Sequence, residues 1–212
     1  MENRALGEAK WILAALGVAW VVTIFVVPIV AVLIAIFLLF TVYFFRDPER
    51  VPPEGERIAV SPADGVVTTI DEVREEEFLN RPMRRVGIFL SVFDVHVNRS
   101  PIAGEVTHSE PKPGRFLDAR HPDSSLLNVS RSWVIVGPVG SVLVRQITGA
   151  IARRICPWAV VGDSLQRGER FGMIRFGSRT ELFVPMDAEI LVKMGERVRG
   201  GETPMARMPE NP

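Results

Sequence analysis

Residues 11–45, WILAALGVAWVVTIFVVPIVAVLIAIFLLFTVYFF, contain no charged side chain. As one helix the run would be about 52 Å long, against a hydrocarbon core of roughly 30 Å. Pro28 stands near its middle, where a helix breaks or kinks. The run therefore predicts two helices of about 17 residues each, turning near Pro28. Arg4 and Lys10 precede it, and Arg46 and Arg50 in FRDPER follow it. Because positive residues favour the cytoplasmic side, both ends are expected there, with residues 46–212 also on that side of the cell membrane. A spanning hairpin and a re-entrant one both fit helices of this length. A cleaved signal peptide does not, since the run is too long and no small-residue cleavage site stands out after it.

Residues 46–212 are enough for one compact domain. The chain carries 25 basic and 25 acidic residues, a balance that argues against a strongly basic nucleic-acid binder. Only Lys10, Lys112 and Lys193 are lysines. The rest of the positive charge is arginine, whose fork suits phosphates and carboxylates. Short runs rich in Val, Ile, Phe and Thr, such as GVVTTIDEV, RRVGIFLSV, SWVIVGPVGSVLVRQITG and TELFVP, alternate with Gly, Pro and Asp turns. They predict a mainly β domain of barrel or sandwich type. TGAIARRICPWA is the exception and permits a short helix or turn. DAEILVKMGERVRGGETPMAR, punctuated by Gly195, Gly200 and Gly201, has the pattern of a β-hammerhead, with Lys193 expected inside a strand.

Three places hold chemistry-bearing residues. RFGSRTELF places Gly177-Ser178 inside a strand-like, half-buried run, where glycine marks a bulge or a close approach to the backbone. IFLSVFDVHVNRSP runs from an apolar strand into Asp94, His96, Asn98 and Arg99; alternation sets the first three on one face, either solvated or forming an acid–base site. SPADGVV places Asp64 at a turn entering a strand. His108 and His121 read as surface residues, and the single Cys156 as a small buried one. Metal-ligand spacing is absent, so no metal is expected. The chain also lacks a phosphate loop, a dinucleotide fingerprint and a Gly-x-Ser-x-Gly elbow.

Taken together, FFRDPER, SPADGVV, FDVHVNRSP, GERFGMIRFGSR and the glycine-punctuated C-terminal end resemble phosphatidylserine decarboxylase in its short bacterial and archaeal proenzyme form. The likeness runs in order along nearly the whole chain. It implies self-cleavage between Gly177 and Ser178 into a β chain, 1–177, and an α chain, 178–212, that remain together as a heterodimer. A higher oligomer is left open. Ser178 would become the pyruvoyl cofactor, whose carbonyl forms a Schiff base with the amine of a phospholipid substrate and accepts electrons as carbon dioxide leaves. His96 would return a proton to the α-carbon. Asp64 would join an Asp-His-Ser arrangement that activates Ser178.

Two departures from the family pattern stand out. Longer bacterial members carry two histidines three residues apart, whereas the second position here is Arg99, a poor general base. SLLNVSRSWV is looser than the Asn-Glu-Arg-Asn stretch of short members, leaving Asn128, Arg131 and Arg99 as the candidate substrate contacts. The rival reading from another class is a membrane-anchored hammerhead scaffold without catalysis, which leaves the conjunction of Gly177-Ser178, His96 and Asp64 to chance.

Overall fold

The computed structural model describes residues 4–151, 153–175 and 178–210. It divides into two compact units, Met1–Pro48 and Glu49–Pro212. In the first, α1 spans Arg4–Val26 and α2 spans Pro28–Phe44, and the two pack against each other. The break falls where the sequence puts it. Pro28 opens α2 at the one place where a missing N–H and a fixed φ suit a helix. At 23 residues, α1 is longer than half of the apolar run and spans about 35 Å, long and apolar enough to cross a membrane. Its extra length comes from residues 4–10, which join the helix ahead of the apolar run. Both threonines of the hairpin satisfy their hydroxyls internally, Thr23 on the Ala19 carbonyl at 2.9 Å and Thr41 on the Phe37 carbonyl at 2.8 Å. Arg46 closes α2, donating to the Tyr43 carbonyl at 2.9 Å and lying over the Tyr43 ring.

The second unit is mainly β. Its strands are β1 (Ile58–Val60), β2 (Gly65–Glu75), β3 (Arg81–Leu90), β4 (Val97–Arg99), β5 (Gly104–Lys112), β6 (Ser130–Gly137) and β7 (Gly140–Ile147). They continue with β8 (Arg154–Pro157), β9 (Ser164–Leu165), β10 (Arg170–Arg175), β11 (Ser178–Pro185), β12 (Glu189–Ile190), β13 (Arg197–Val198) and β14 (Pro204–Arg207). One turn of helix, α3, covers Ser124–Leu127. An antiparallel sheet of order β13-β2-β3-β11-β7-β6-β5-β9 forms the body. Register shifts in the β2–β3 and β5–β6 pairs curl it. Two smaller sheets, β1-β14-β12 and β4-β10-β8, complete the unit.

Alternation sorts the sheet's side chains. Val86, Ile88, Leu90, Trp133, Ile135, Val142, Val144, Leu182 and Val184 enter the main core, while Met83, Val134, Leu143 and Phe183 form a smaller cluster. At the β2–β3 turn the buried Glu75 carboxylate accepts the N–H groups of Glu77, Phe78 and Leu79. Burial pushes its pKa up, but these three donors outweigh that and hold it below the usual carboxylate range.

Three local expectations change. The stretch expected to form a helix or turn contains β8, because Arg154–Pro157 find a free edge on β10. Lys193 lies outside any strand: its N–H reaches the Glu196 carboxylate at 3.0 Å and its carbonyl takes the Glu196 N–H, closing a tight turn. β11 is buried at all eight positions rather than half-buried, because β3 and β7 flank it and both of its faces are covered.

Gly65, the first residue of β2, adopts φ +151°, and a Cβ there would sit 2.2 Å from the Phe89 carbonyl oxygen. Gly65→Ala is expected to destabilise the domain by about 2–3 kcal/mol. That corresponds to a melting temperature lower by roughly 5–10 °C for a domain of this size. Near-UV circular dichroism against temperature reads this, and an unchanged melting point would show that the β2–β3 approach is loose.

Candidate active site

Ser178 is the first residue of β11 and pairs with Leu90 at the end of β3. Gly177, expected to be its partner in cleavage, lies outside the described residues. Ser178 is fully buried, and its Oγ has no hydrogen-bond partner among the described residues. A buried hydroxyl in that state costs about 1–3 kcal/mol, which fold stability alone does not explain. Alternation along β11 sets Ser178 on the face of Thr180, Leu182 and Val184, toward the main core.

His96 sits immediately before β4 and is also fully buried. Its segment is not one continuous strand. Asp94 N–H donates to the Ser91 carbonyl, and the Asp94 carboxylate accepts Ser91 N–H at 2.8 Å and Ser91 Oγ–H at 2.7 Å. This turn takes Asp94 out of the alternation, and Arg197 pairs with its other oxygen at 2.6 Å. Residues 94–100 are all buried, so the solvated reading of this polar stretch fails. The His96 Nδ1 lies 2.9 Å from the Asp94 carbonyl oxygen, which can only accept. In the neutral ring the proton is therefore on Nδ1 and the lone pair on Nε2.

Asn98, two residues on, joins the pieces. Its amide donates to the Pro62 carbonyl at 3.1 Å and to Thr180 Oγ1 at 3.2 Å, while its oxygen accepts from Gln146 Nε2 at 2.7 Å. Gln146 in turn accepts Trp133 Nε1–H at 2.8 Å. Pro62 stands two residues before Asp64, Thr180 two after Ser178, and Asn98 two after His96. One carboxamide thus ties together the segments carrying all three expected catalytic residues.

Asp64 is less enclosed than the other two. Its carboxylate accepts Gly200 N–H at 2.7 Å and pairs with Arg50 at 3.0 Å. Arg99 is buried beside the same Gly200–Gly201 turn and donates to the Gly168 carbonyl at 3.0 Å. The other two candidate substrate contacts are held elsewhere. The Asn128 amide bonds the Leu117 and Thr148 carbonyls and its oxygen takes Leu117 N–H, all at 2.8 Å. Arg131 reaches Ser109 on β5, and burial pushes its guanidinium pKa down.

The opposite face of β11 carries charges the sequence reading passed over. Glu181 is fully buried, paired with Arg179 at 2.8 Å and accepting Ser125 Oγ–H at 2.7 Å. Arg85 stands 3.6 Å from it and pairs with Asp71, which raises the Arg85 pKa. Arg179 also reaches Thr69 at 2.8 Å across Gly87, where a Cβ would meet its guanidinium at 2.4 Å. The signal was available: opposite charges at i and i+2, Arg179 and Glu181, at the start of a strand that ends Leu-Phe-Val-Pro.

A cavity of about 280 Å³ opens beside Ser178's strand partner, lined by Phe89, Leu90, Val92, Arg120 and Ile151 among others. Asp118 on its wall is held at a pKa of about 2 by hydrogen bonds from Arg120. A larger cavity, about 620 Å³, lies against Pro52, Pro138 and Arg167. Neither cavity is lined by Ser178, His96 or Asp64, but the smaller one borders Leu90, the residue paired with Ser178. The smaller one is the candidate site.

The family model described as phosphatidylserine decarboxylase matches residues 37–206. A phosphatidylserine decarboxylase proenzyme of Symbiobacterium thermophilum is 46% identical over 212 residues, covering 99% of each chain. One from Syntrophus aciditrophicus is 50% identical over 168 residues, 79% of each, and one from Carboxydothermus hydrogenoformans 44% over 202 residues, 95% of each. With a family match over residues 37–206 and relatives 44–50% identical over most of their length, the chain belongs to the phosphatidylserine decarboxylase family.

Proposed function

We propose that this chain is a proenzyme that cuts itself between Gly177 and Ser178 and then decarboxylates phosphatidylserine to phosphatidylethanolamine. The observation that carries the reading is the Ser178 hydroxyl, buried and without a partner among the described residues, on a strand tied through Asn98 to that of His96. In the cut, Oγ attacks the Gly177 carbonyl, an ester C–O bond forms and the peptide C–N bond breaks. Loss of the Ser178 α-proton expels the Gly177 carboxylate and leaves dehydroalanine. Water then displaces ammonia to give the pyruvoyl group.

A hydroxyl held out of solvent with no competing hydrogen bond fits that group. Once formed, its carbonyl supplies the electron sink for decarboxylation. The chain's own residues do the rest. The Asp94 carbonyl fixes the His96 ring so that Nε2 is the proton-exchanging atom, taking the proton of Ser178 in the cut and later delivering one to the substrate α-carbon. Arg99 stays protonated, so His96 serves both steps. Asp64 supports the cut from the loop that Asn98 holds against the His96 strand. Arg99, Asn128 and Arg131, the expected substrate contacts, each bond protein groups instead.

A diacyl lipid does not leave its bilayer for such a site. At about 0.8 kcal/mol per methylene, extracting two long chains costs on the order of 20 kcal/mol. A cavity of about 280 Å³ suits the headgroup alone. The reaction therefore takes place at a membrane surface, on the cytoplasmic side by the arginines and lysine that flank the hairpin.

Ser178→Ala is expected to leave one uncut chain and no released carbon dioxide, read by intact mass and a decarboxylation assay. Cleavage of that variant would overturn the reading in favour of a different nucleophile. His96→Ala is expected to accumulate uncut chain and to lose about 10²–10⁴-fold in turnover within any cut fraction. Normal cutting and turnover together would remove both roles, while a loss of only one would separate them. Deleting residues 1–45 is expected to preserve self-cleavage. Activity on bilayer substrate should fall about tenfold or more through lost effective concentration, with little change on a dispersed short-chain substrate. Equal losses on both would make the hairpin part of the catalytic fold.

A further inference from the structure

We infer that the loops around the cavity mouth form a membrane contact of their own, separate from the hairpin, with apolar side chains entering a bilayer that contains anionic phospholipid. This rests on the phospholipid reading above. Phe93, Leu126 and Ile151 are 64%, 69% and 67% exposed, and Phe116 and Leu127 about 40%. Single exposed apolar residues are ordinary, but these converge from separate segments. Ile151 and Val92, the neighbour of Phe93, line the same cavity. The Asn128 carboxamide clamps Leu117 and Thr148, and Arg115 bridges Asn128. These contacts bring the Phe116 loop against the end of α3 and the stretch leading to Ile151.

The charge on these loops suits one occupant. Residues 91–94, 115–123 and 150–154 carry four arginines, Arg115, Arg120, Arg153 and Arg154, against three aspartates, Asp94, Asp118 and Asp123, in a chain of zero net charge, and Asp94 is paired with Arg197. Asp118 is already paired with Arg120 at 2.7 Å. The Arg153 guanidinium lies 5.7 Å from the Phe116 ring centroid, setting a cation beside an apolar anchor. Arginines beside exposed aromatic and aliphatic side chains match the boundary between anionic headgroups and acyl chains. At that boundary the acyl chains of a lipid whose headgroup fills the cavity pass into the bilayer without crossing water.

The test uses the full chain in phosphatidylcholine–phosphatidylglycerol vesicles. An environment-sensitive fluorophore is placed on Leu126→Cys in a Cys156→Ala background. The control is Pro138→Cys, at the β6–β7 turn, the opposite end of those strands from Ser130 and Ile147. Spin-labelled lipid is expected to quench the Leu126 label several-fold more than the control. Equal quenching at both sites overturns the proposal. A Leu126 label shielded from lipid, with the unlabelled Leu126→Cys chain forming an intermolecular disulfide on oxidation, overturns it in favour of a contact between copies. In parallel, Phe116→Glu combined with Leu126→Glu is expected to self-cleave fully, which reports the fold. It should raise KM for vesicle substrate roughly tenfold while sparing a dispersed short-chain substrate. An unchanged vesicle KM in the cut variant, or an equal loss on both substrates, counts against the contact. Should the unsubstituted chain release no carbon dioxide from phosphatidylserine, the proposed function fails, and the quenching experiment still decides the surface.

Discussion

The Asn98 carboxamide is the point through which the domain's parts are held in register. Its donors and acceptor reach a loop carbonyl, a central-strand hydroxyl and the Gln146 amide, all without access to water. A buried amide group left unpaired costs as much as several apolar contacts contribute, so this arrangement tolerates little displacement of any member. β4, β7, β11 and the Ser61–Asp64 turn are therefore fixed relative to one another more tightly than packing alone would require. Ser178, His96 and Asp64 lie on or beside three of those segments, so the same bonds that complete the core also hold the candidate site's segments together.

β11 is enclosed on both sides and both faces, which explains how a serine at its start can be kept dry. On one face Thr180 meets Asn98 and Leu182 and Val184 fill the core. On the other, Arg179 and Glu181 satisfy each other and are supported by Ser125, Thr69 and Arg85. Buried charges of this kind stabilise little beyond what an apolar pair would, but breaking one partner is costly. Their contacts hold Arg179 and Glu181, the residues following Ser178 on this strand, to three neighbouring segments.

The cavity and the lipid problem meet at the open end of this strand. The cavity wall carries Arg120 and Ser91 next to Leu90 and Phe89, a mixture suited to a charged headgroup with apolar surroundings. On the proposed reading, the exposed side chains around the mouth and the apolar hairpin answer the same constraint: acyl chains are too costly to bring into water.

Much of this was legible in order along the chain. The charge-free run and Pro28 dictated two helices, because hydrophobic length and a missing N–H act locally. Short β-branched runs between Gly and Pro turns announced a mainly β domain for the same reason. The Gly-Ser pair and the Asp-Val-His-Val-Asn-Arg stretch marked where to look for chemistry. What sequence could not supply was anything that depends on a distant partner. The depth of β11 comes from β3 and β7, which are far away in the chain. The turn that removes Asp94 from alternation depends on Ser91 and Arg197, and the strand at Arg154–Pro157 exists because β10 offers an edge. Asn98 had no signal of its own: an asparagine beside a histidine reads as solvated until Pro62, Gln146 and Thr180 are brought to it. Residue type and spacing determined which groups could react, and tertiary hydrogen bonding, through non-local satisfaction of buried polar atoms, decided which segments are brought together.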